Sequence, residues 1–186
     1  MVWGWRRRIR DLTARLSCNQ MLFSYRVRMK FLVDRMLGKL AKGLRMLGYD
    51  AVYYQGEDLQ QLIQWARREG RVILTRNTKL IPKRPEDRIL RVKDDHPSRQ
   101  LRELIQTGMI ALSEEKLFSR CLLCNAPLTE IPRSEAEGKV PDFIYYNHDL
   151  FFQCPQCKRI YWKGSHQGNM QKWVEELFQT PLQNGT

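Results

Sequence analysis

The sequence contains no run approaching the roughly 20 consecutive apolar residues of a membrane span, which excludes a bilayer-crossing helix and predicts a soluble protein with no membrane partner. It also lacks, near its start, the apolar core of about 7–15 residues that marks a secretory signal. Cysteine is sparse, with five in 186 residues. A chain of this length buries roughly 70% of its unfolded surface and needs no disulfide framework, so a cytoplasmic, reducing location is expected. No internal repeat or low-complexity tract is visible. Acidic residues are the scarcer charge: Asp+Glu number 20 against 32 Lys+Arg, giving a formal net charge of +12 and a pI near 9.8. Such a balance favours an anionic partner, most simply nucleic acid, although it bears on association and not on fold.

What is present is ordinary for a globular chain, with 42% apolar and 28% charged residues. The charge is unevenly placed. Residues 1–28 hold seven arginines and a single acid, Asp11. That composition suits a nucleic-acid arm, an organellar presequence or translation from an upstream start codon. Because Met29 opens the first well-patterned segment, residues 1–28 are read as a basic extension outside the fold.

From residue 30 the pattern alternates strand and helix. Lys30 to Asp34 is a short apolar run ending in a carboxylate. Over 35–47 the period changes, and Met36, Leu37, Leu40, Ala41, Leu44 and Leu47 fall on one helical face, with Gly48 at the expected C-cap. Residues 51–54 form a second strand, 58–69 a second helix ending before Gly70, 71–75 a third strand, 88–92 a fourth and 97–107 a further helix. This alternation predicts an α/β fold, a parallel sheet flanked by helices. The texture changes near residue 117, where four cysteines and clustered aromatics begin. The expected organisation is a first domain over 29–117, a small second domain over 118–166, and a C-terminal helix and tail over 167–186.

Cys121-Leu122-Leu123-Cys124 and Cys154-Pro155-Gln156-Cys157 are two C-x2-C knuckles 29 residues apart. Four thiolates so arranged match a tetrahedral structural zinc, in which two tight turns each supply a ligand pair. Disulfides or idle thiols are the alternative, disfavoured by the missing secretory signal and the odd fifth Cys18. A closed set of four thiolates leaves no open position, so this zinc organises fold and not chemistry. His148 and His166 lie close enough in sequence to replace a cysteine.

In a parallel sheet, ligands bind beyond the carboxyl ends of the strands. Asp34 ends the first strand, Glu57 and Asp58 follow the second, Thr75-Arg76-Asn77 ends the third, and Asp94 and Asp95 follow the fourth. Converging there, such oxygen ligands would hold Mg²⁺ or Mn²⁺ for phosphodiester hydrolysis. Each has a plainer role open to it. Asp58 with Gln61 resembles a capping box, Asp94-Asp95 a polar turn before Pro97, and Asp34 a helix cap; Glu57 is a solvated residue on this view. Asp50, at the opposite edge, is read as structural. Arg35, Lys39, Lys42 and Arg45 lie opposite the apolar stripe of the first helix, either a solvated face or a phosphate track leading from Asp34. Arg76 is placed to pair with a phosphate or with Asp34.

Several ordered segments resemble one family. They are 30–41 (KFLVDRMLGKLA), 44–50 (LRMLGYD), 73–76 (ILTR), 120–125 (RCLLCN), 154–157 (CPQC) and 161–166 (YWKGSH). Together they are similar to the Mut-seven C-terminal RNase domain. The resemblance implies a PIN-like nuclease fold followed by a zinc ribbon, a metal-dependent ribonuclease activity on RNA, and Asp34 as the first-strand acid. Where that family reads Thr-Arg-Asp, this chain has Thr75-Arg76-Asn77. Asn77 offers a carbonyl oxygen but no negative charge. One reading is therefore a hydrolytic nuclease using Asp34, one of Glu57 and Asp58, one of Asp94 and Asp95, and Asn77 as an auxiliary ligand. A second is an RNA-binding module, ribosome- or tRNA-associated, with a weakened or vestigial pocket. A third is a protein-interaction adaptor using aromatics of the second domain.

Overall fold

The computed structural model describes residues 29–162. The basic extension, the expected C-terminal helix and His166 lie outside the described residues. Contacts separate two units, divided between Ser119 and Arg120. Among the described residues no helix is long and apolar enough to cross a membrane.

The first unit is built on a parallel sheet of β1 (Lys30–Val33), β2 (Asp50–Tyr53), β3 (Val72–Thr75) and β4 (Ile89–Arg91), in the order β2-β1-β3-β4. Its helices are α1 (Gly38–Met46), α2 (Leu59–Glu69) and α3 (Pro97–Gln106). Paired residues of neighbouring parallel strands share a face. Val52, Leu32, Ile73 and Ile89 therefore make one apolar row, against which Leu62, Ile63 and Ala66 of α2 pack. The alternate residues Phe31, Val33, Val72 and Leu74 are equally buried on the other face. There, α1 packs on both β2 and α3. Strands buried on both faces read as continuous apolar runs, as these do.

Local signals end the helices where the sequence placed them. After α1, the Gly48 N–H donates to Arg45 O and the Tyr49 N–H to Leu44 O, a Schellman closure. Gly48 has φ +85°, and a Cβ there would stand 2.1 Å from the Lys116 carbonyl oxygen, so glycine is required twice over. Gly70 closes α2 in the same way.

Two assignments on the first helix are corrected. Met36, expected on the apolar face, is 60% exposed, whereas Arg45, expected on the solvated face, is buried at 5%. Residues Arg35–Leu37 form a 3-10 turn before α1 begins. A tighter turn rotates each residue further than an α-helix does, so a single helical phase drawn through 35–47 misplaces Met36. Arg45 follows Leu44 at the seam with β2, and its Nε donates to Ala51 O at 2.8 Å.

At the amino edge of the sheet, Arg71 is 8% exposed and bonded to Asp50, Glu69 and the Phe31 carbonyl. Asp50 thus has the structural role expected of it. The β3–β4 connection contains no helix and is fastened by Asp87. Its Oδ1 accepts from Arg67 Nε at 2.6 Å, and its Oδ2 accepts from Arg67 Nη2 and from the N–H groups of Lys83 and Arg84.

The second unit is an antiparallel sheet of β5 (Thr129–Ile131), β6 (Phe151–Gln153) and β7 (Ile160–Trp162), in that order. Between β5 and β6 lie the short helices α4 (Arg133–Ala136) and α5 (Asp142–Asn147). Its apolar core is small: Phe151, Ala136 and Val140, with Ile131, Ile144, Ile160 and Trp162 packed around them.

The Arg67 guanidinium beside Asp87 holds that carboxyl down to about 2, against burial and with help from the Lys83 and Arg84 N–H groups. Its stabilising contribution is fully present above the ordinary value of 3.8 and is lost as the pH falls through about 2. Replacing Asp87 by Asn is expected to destabilise the protein by about 2 kcal/mol at neutral pH. The same change should flatten the acid limb of stability between pH 4 and 2 (roughly the two values above), measured by urea melts across that range.

Candidate active site and metal centre

β1 lies between β2 and β3, and it ends at Asp34. The Asp34 N–H continues the ladder to Leu74 O at 2.9 Å, which sets its side chain opposite that of Thr75. The carboxylate is 5% exposed. Its Oδ2 accepts the Thr75 hydroxyl at 2.6 Å, and Thr75 Oγ1 in turn accepts the Asn77 N–H at 2.9 Å. The Thr75 hydroxyl thus acts as donor to Asp34 and as acceptor from Asn77. Among the described residues Oδ1 has no donor. The 3-10 turn that follows receives no side-chain bond from Asp34, so capping is not its role. A buried carboxylate with one hydroxyl donor is incompletely compensated. A hard divalent cation is one ligand that could meet that need, since Mg²⁺ is commonly held by one or two carboxylates, waters and substrate phosphate.

The other strand-end acids are engaged elsewhere. Asp58 is the N-cap of α2, with Oδ1 accepting from Gln60 N at 2.7 Å and Gln61 N at 3.3 Å. Glu57 is ion-paired with Arg35, whose carbonyl accepts the Tyr53 hydroxyl. Asp94 Oδ1 accepts from His96 N and from Arg99 Nε, and Arg99 also reaches Asp95. Burial pushes the Asp94 carboxyl up, but the His96 N–H and Arg99 outweigh it, leaving it below its ordinary value. The Asn77 side-chain oxygen accepts from Lys79 N at 2.9 Å, an Asx turn. Among the described residues these acids do not gather into a ligand set of three, whereas the cysteines do. Arg76 is half-buried and, among the described residues, has no ion-pair partner, Asp34 included. Lys39 and Lys42 are exposed, but with Arg45 buried and Arg35 paired, the expected track along α1 is broken.

Thr75 is the site residue that sequence reading missed. In Val72–Thr75 it counts as one more β-branched strand residue. Only the register, Val33 opposite Leu74, brings its hydroxyl to Asp34.

The cysteine unit repeats one loop twice. In the first, Cys121 N donates to Ala126 O and Asn125 N to Cys121 O, with Asn125 at φ 67°. In the second, Cys154 N donates to Arg159 O and Lys158 N to Cys154 O, with Lys158 at φ 60°. The four Sγ atoms all lie within 4.8 Å of one another. Cys121–Cys157 is 3.6 Å and Cys124–Cys154 is 3.2 Å. Both are far longer than the ~2.05 Å of a disulfide and approach the ~3.8 Å between sulfurs 2.3 Å from a central zinc. The cluster can therefore bind zinc, and His148 is not part of it. Burial pushes the Cys121 thiol up, but the N–H groups of Cys124 and Leu123 and the Tyr161 hydroxyl outweigh it and bring it down to about 6. Tyr161 accepts from Leu122 N and lies 3.1 Å from Cys121 Sγ. The family segment 161–166 begins with this tyrosine, but nothing in the sequence tied it to Cys121.

Comparison with known proteins gives two positive findings. The family model described as the Mut7-C RNAse domain matches residues 29–174. The human protein named "Exonuclease mut-7 homolog" (Homo sapiens) is 28% identical over 152 residues, covering 79% of this chain. The matched region is 15% of that protein's own length. No solved structure matches.

The cysteine unit has a small apolar core, and a metal held by its four thiolates would contribute much of its stability. The purified protein is expected to carry about one zinc per chain. Chelation, or Cys154→Ala, should remove the metal and unfold residues 120–162 while the parallel sheet persists. Metal analysis combined with hydrogen exchange of the two units checks this.

Proposed function

The chain belongs to the Mut7-C RNAse domain family, and from that premise we propose that it is a metal-dependent ribonuclease whose first unit is a PIN-like domain and whose second is a structural zinc ribbon. The observation that carries the proposal is Asp34, buried at the carboxyl end of β1 with one oxygen fixed by Thr75 and the other, among the described residues, free of donors. The name of the human relative supports hydrolysis of nucleic acid; the basic composition supports a polyanionic substrate.

Asp34 would hold Mg²⁺ or Mn²⁺, with the Asn77 carbonyl as a weaker neighbour; the cation supplies an activated water and charge stabilisation at the phosphorus. The chain's own residues prepare that site. Thr75 fixes the carboxylate rotamer, and the Asn77 N–H fixes Thr75. Asp58, Glu57, Asp94 and Asp95 hold the surrounding loops through the cap and ion pairs described above, and a direct role for Asp58 or Asp95 requires those bonds to open. Thiols held as a metal cluster, and not as disulfides, suit a reducing, cytoplasmic compartment.

A second reading, an RNA-binding module with little or no catalysis, is favoured by two observations. Asn77 withholds a charge, and among the described residues no group of three acids gathers at Asp34.

RNA cleavage measured over Mg²⁺ and Mn²⁺ titrations separates the two. The nuclease reading expects cleavage that falls at least about 100-fold in Asp34→Asn. It also expects Asn77→Asp to lower the metal concentration needed for half-maximal rate. Wild type that binds RNA without cutting it establishes the second reading, and cleavage unchanged in Asp34→Asn rejects the first.

A further inference from the structure

Two residues beyond the apolar row covered by α2, the same face of the sheet presents a second row. Its members are Tyr54, Asp34, Thr75 and Arg91. Tyr54 N donates to Val33 O, Asp34 N to Leu74 O, and Thr75 stands in register with Arg91. Three of the four are buried. Arg91 is exposed, at the carboxyl end of β4, the edge strand. Neighbouring strands are about 4.8 Å apart, so the Arg91 backbone lies about 10 Å from that of Asp34, two strands away on one face.

Two arginines near this edge are already paired with carboxylates. Arg35 is paired with Glu57, and Arg99 with Asp94 and Asp95. Among the described residues Arg91 has no ion-pair or hydrogen-bond partner for its side chain, and it is the one guanidinium that shares the row of Asp34. A planar guanidinium with a rigid fork of donors is suited to a phosphodiester oxygen pair.

We propose that Arg91 binds a backbone phosphate of the nucleic acid, so that the strand held at Asp34 leaves across β3 and β4 and not along α1. This assignment rests on the nuclease reading above, and it names the direction of the substrate and a contact that the sequence did not single out. A charge on an edge strand also discourages pairing between copies of the sheet. That simpler role is separable, because Arg91→Glu keeps an edge charge while reversing its attraction for phosphate.

The experiment is fluorescence anisotropy of a labelled single-stranded oligouridylate across a salt series, with no Mg²⁺ or Mn²⁺ added. Zinc-loaded wild type is compared with Arg91→Gln, Arg91→Lys, Arg91→Glu and Lys30→Gln. Lys30 is an exposed lysine at the opposite, amino end of β1. Arg91→Gln is expected to bind about fivefold to tenfold more weakly at low salt. Its slope of log affinity against log salt should fall by about 0.7, one phosphate contact on a single strand. Arg91→Lys should keep the slope, Arg91→Glu should bind most weakly, and Lys30→Gln should match wild type. Arg91→Gln and Arg91→Glu binding as wild type does would overturn the assignment and leave the nuclease reading standing. Wild type that fails to bind overturns both.

Discussion

The hydrogen bond from Thr75 to Asp34 joins β1 to β3 at the point where both leave the sheet, and much of the first unit is arranged around it. A carboxylate at 5% exposure is costly unless its oxygens are matched. Here one oxygen is matched by a hydroxyl whose own lone pair is taken by the Asn77 N–H. The chain of donors fixes the carboxylate in one rotamer and leaves the other oxygen for a ligand. It also explains why β3 must end at Thr75. The next residues turn so that a backbone N–H returns to the hydroxyl, and the Asn77 side chain closes that turn on Lys79.

Much of this architecture was legible in the sequence because it depends on local rules. Apolar runs of four or five residues between helical stretches gave the parallel strands; glycines at 48 and 70 gave the helix ends; Asp58 with Gln61 gave an N-cap. The errors came where a local rule met a tertiary one. Met36 was misplaced because a 3-10 turn shifts phase before α1, and Arg45 because a helix wedged between β2 and α3 buries more than its apolar stripe. The site was harder still. Which acid is buried, and which is tied to an arginine, depends on partners 20 or more residues distant, such as Glu57 with Arg35 and Asp87 with Arg67. Thr75 could be found only from strand register, which periodicity does not give.

The cysteine unit follows a different logic. Its four ligands were evident from spacing alone, because a C-x2-C knuckle is a local structure whose N–H groups already point at sulfur. What spacing could not show is the asymmetry among them. Cys121 and Cys154 are fully buried and Cys157 is exposed. Among the described residues, the Tyr161 hydroxyl, fixed by Leu122 N, hydrogen-bonds to Cys121 of the four. A hydrogen bond to one thiolate drains part of its charge, so the four metal–sulfur bonds would be unequal even in a symmetric-looking site.

Pairing decides where the net positive charge of the chain can act. An arginine already bound to a carboxylate contributes little attraction to an incoming polyanion, since its field is cancelled within a Debye length. At the carboxyl edge of the first unit the pairs lie at the 3-10 turn with the loop after β2, and at the start of α3. Of these, Arg35 is a residue the sequence had offered as part of a phosphate track. The cations left unopposed at the carboxyl edge, Arg76 beside the site and Arg91 on β4, sit toward β3 and β4 instead. On the proposed reading, an anionic strand at Asp34 would find Arg35 already paired and Arg76 and Arg91 unpaired toward β3 and β4. That distribution, and not the total of +12, would orient it.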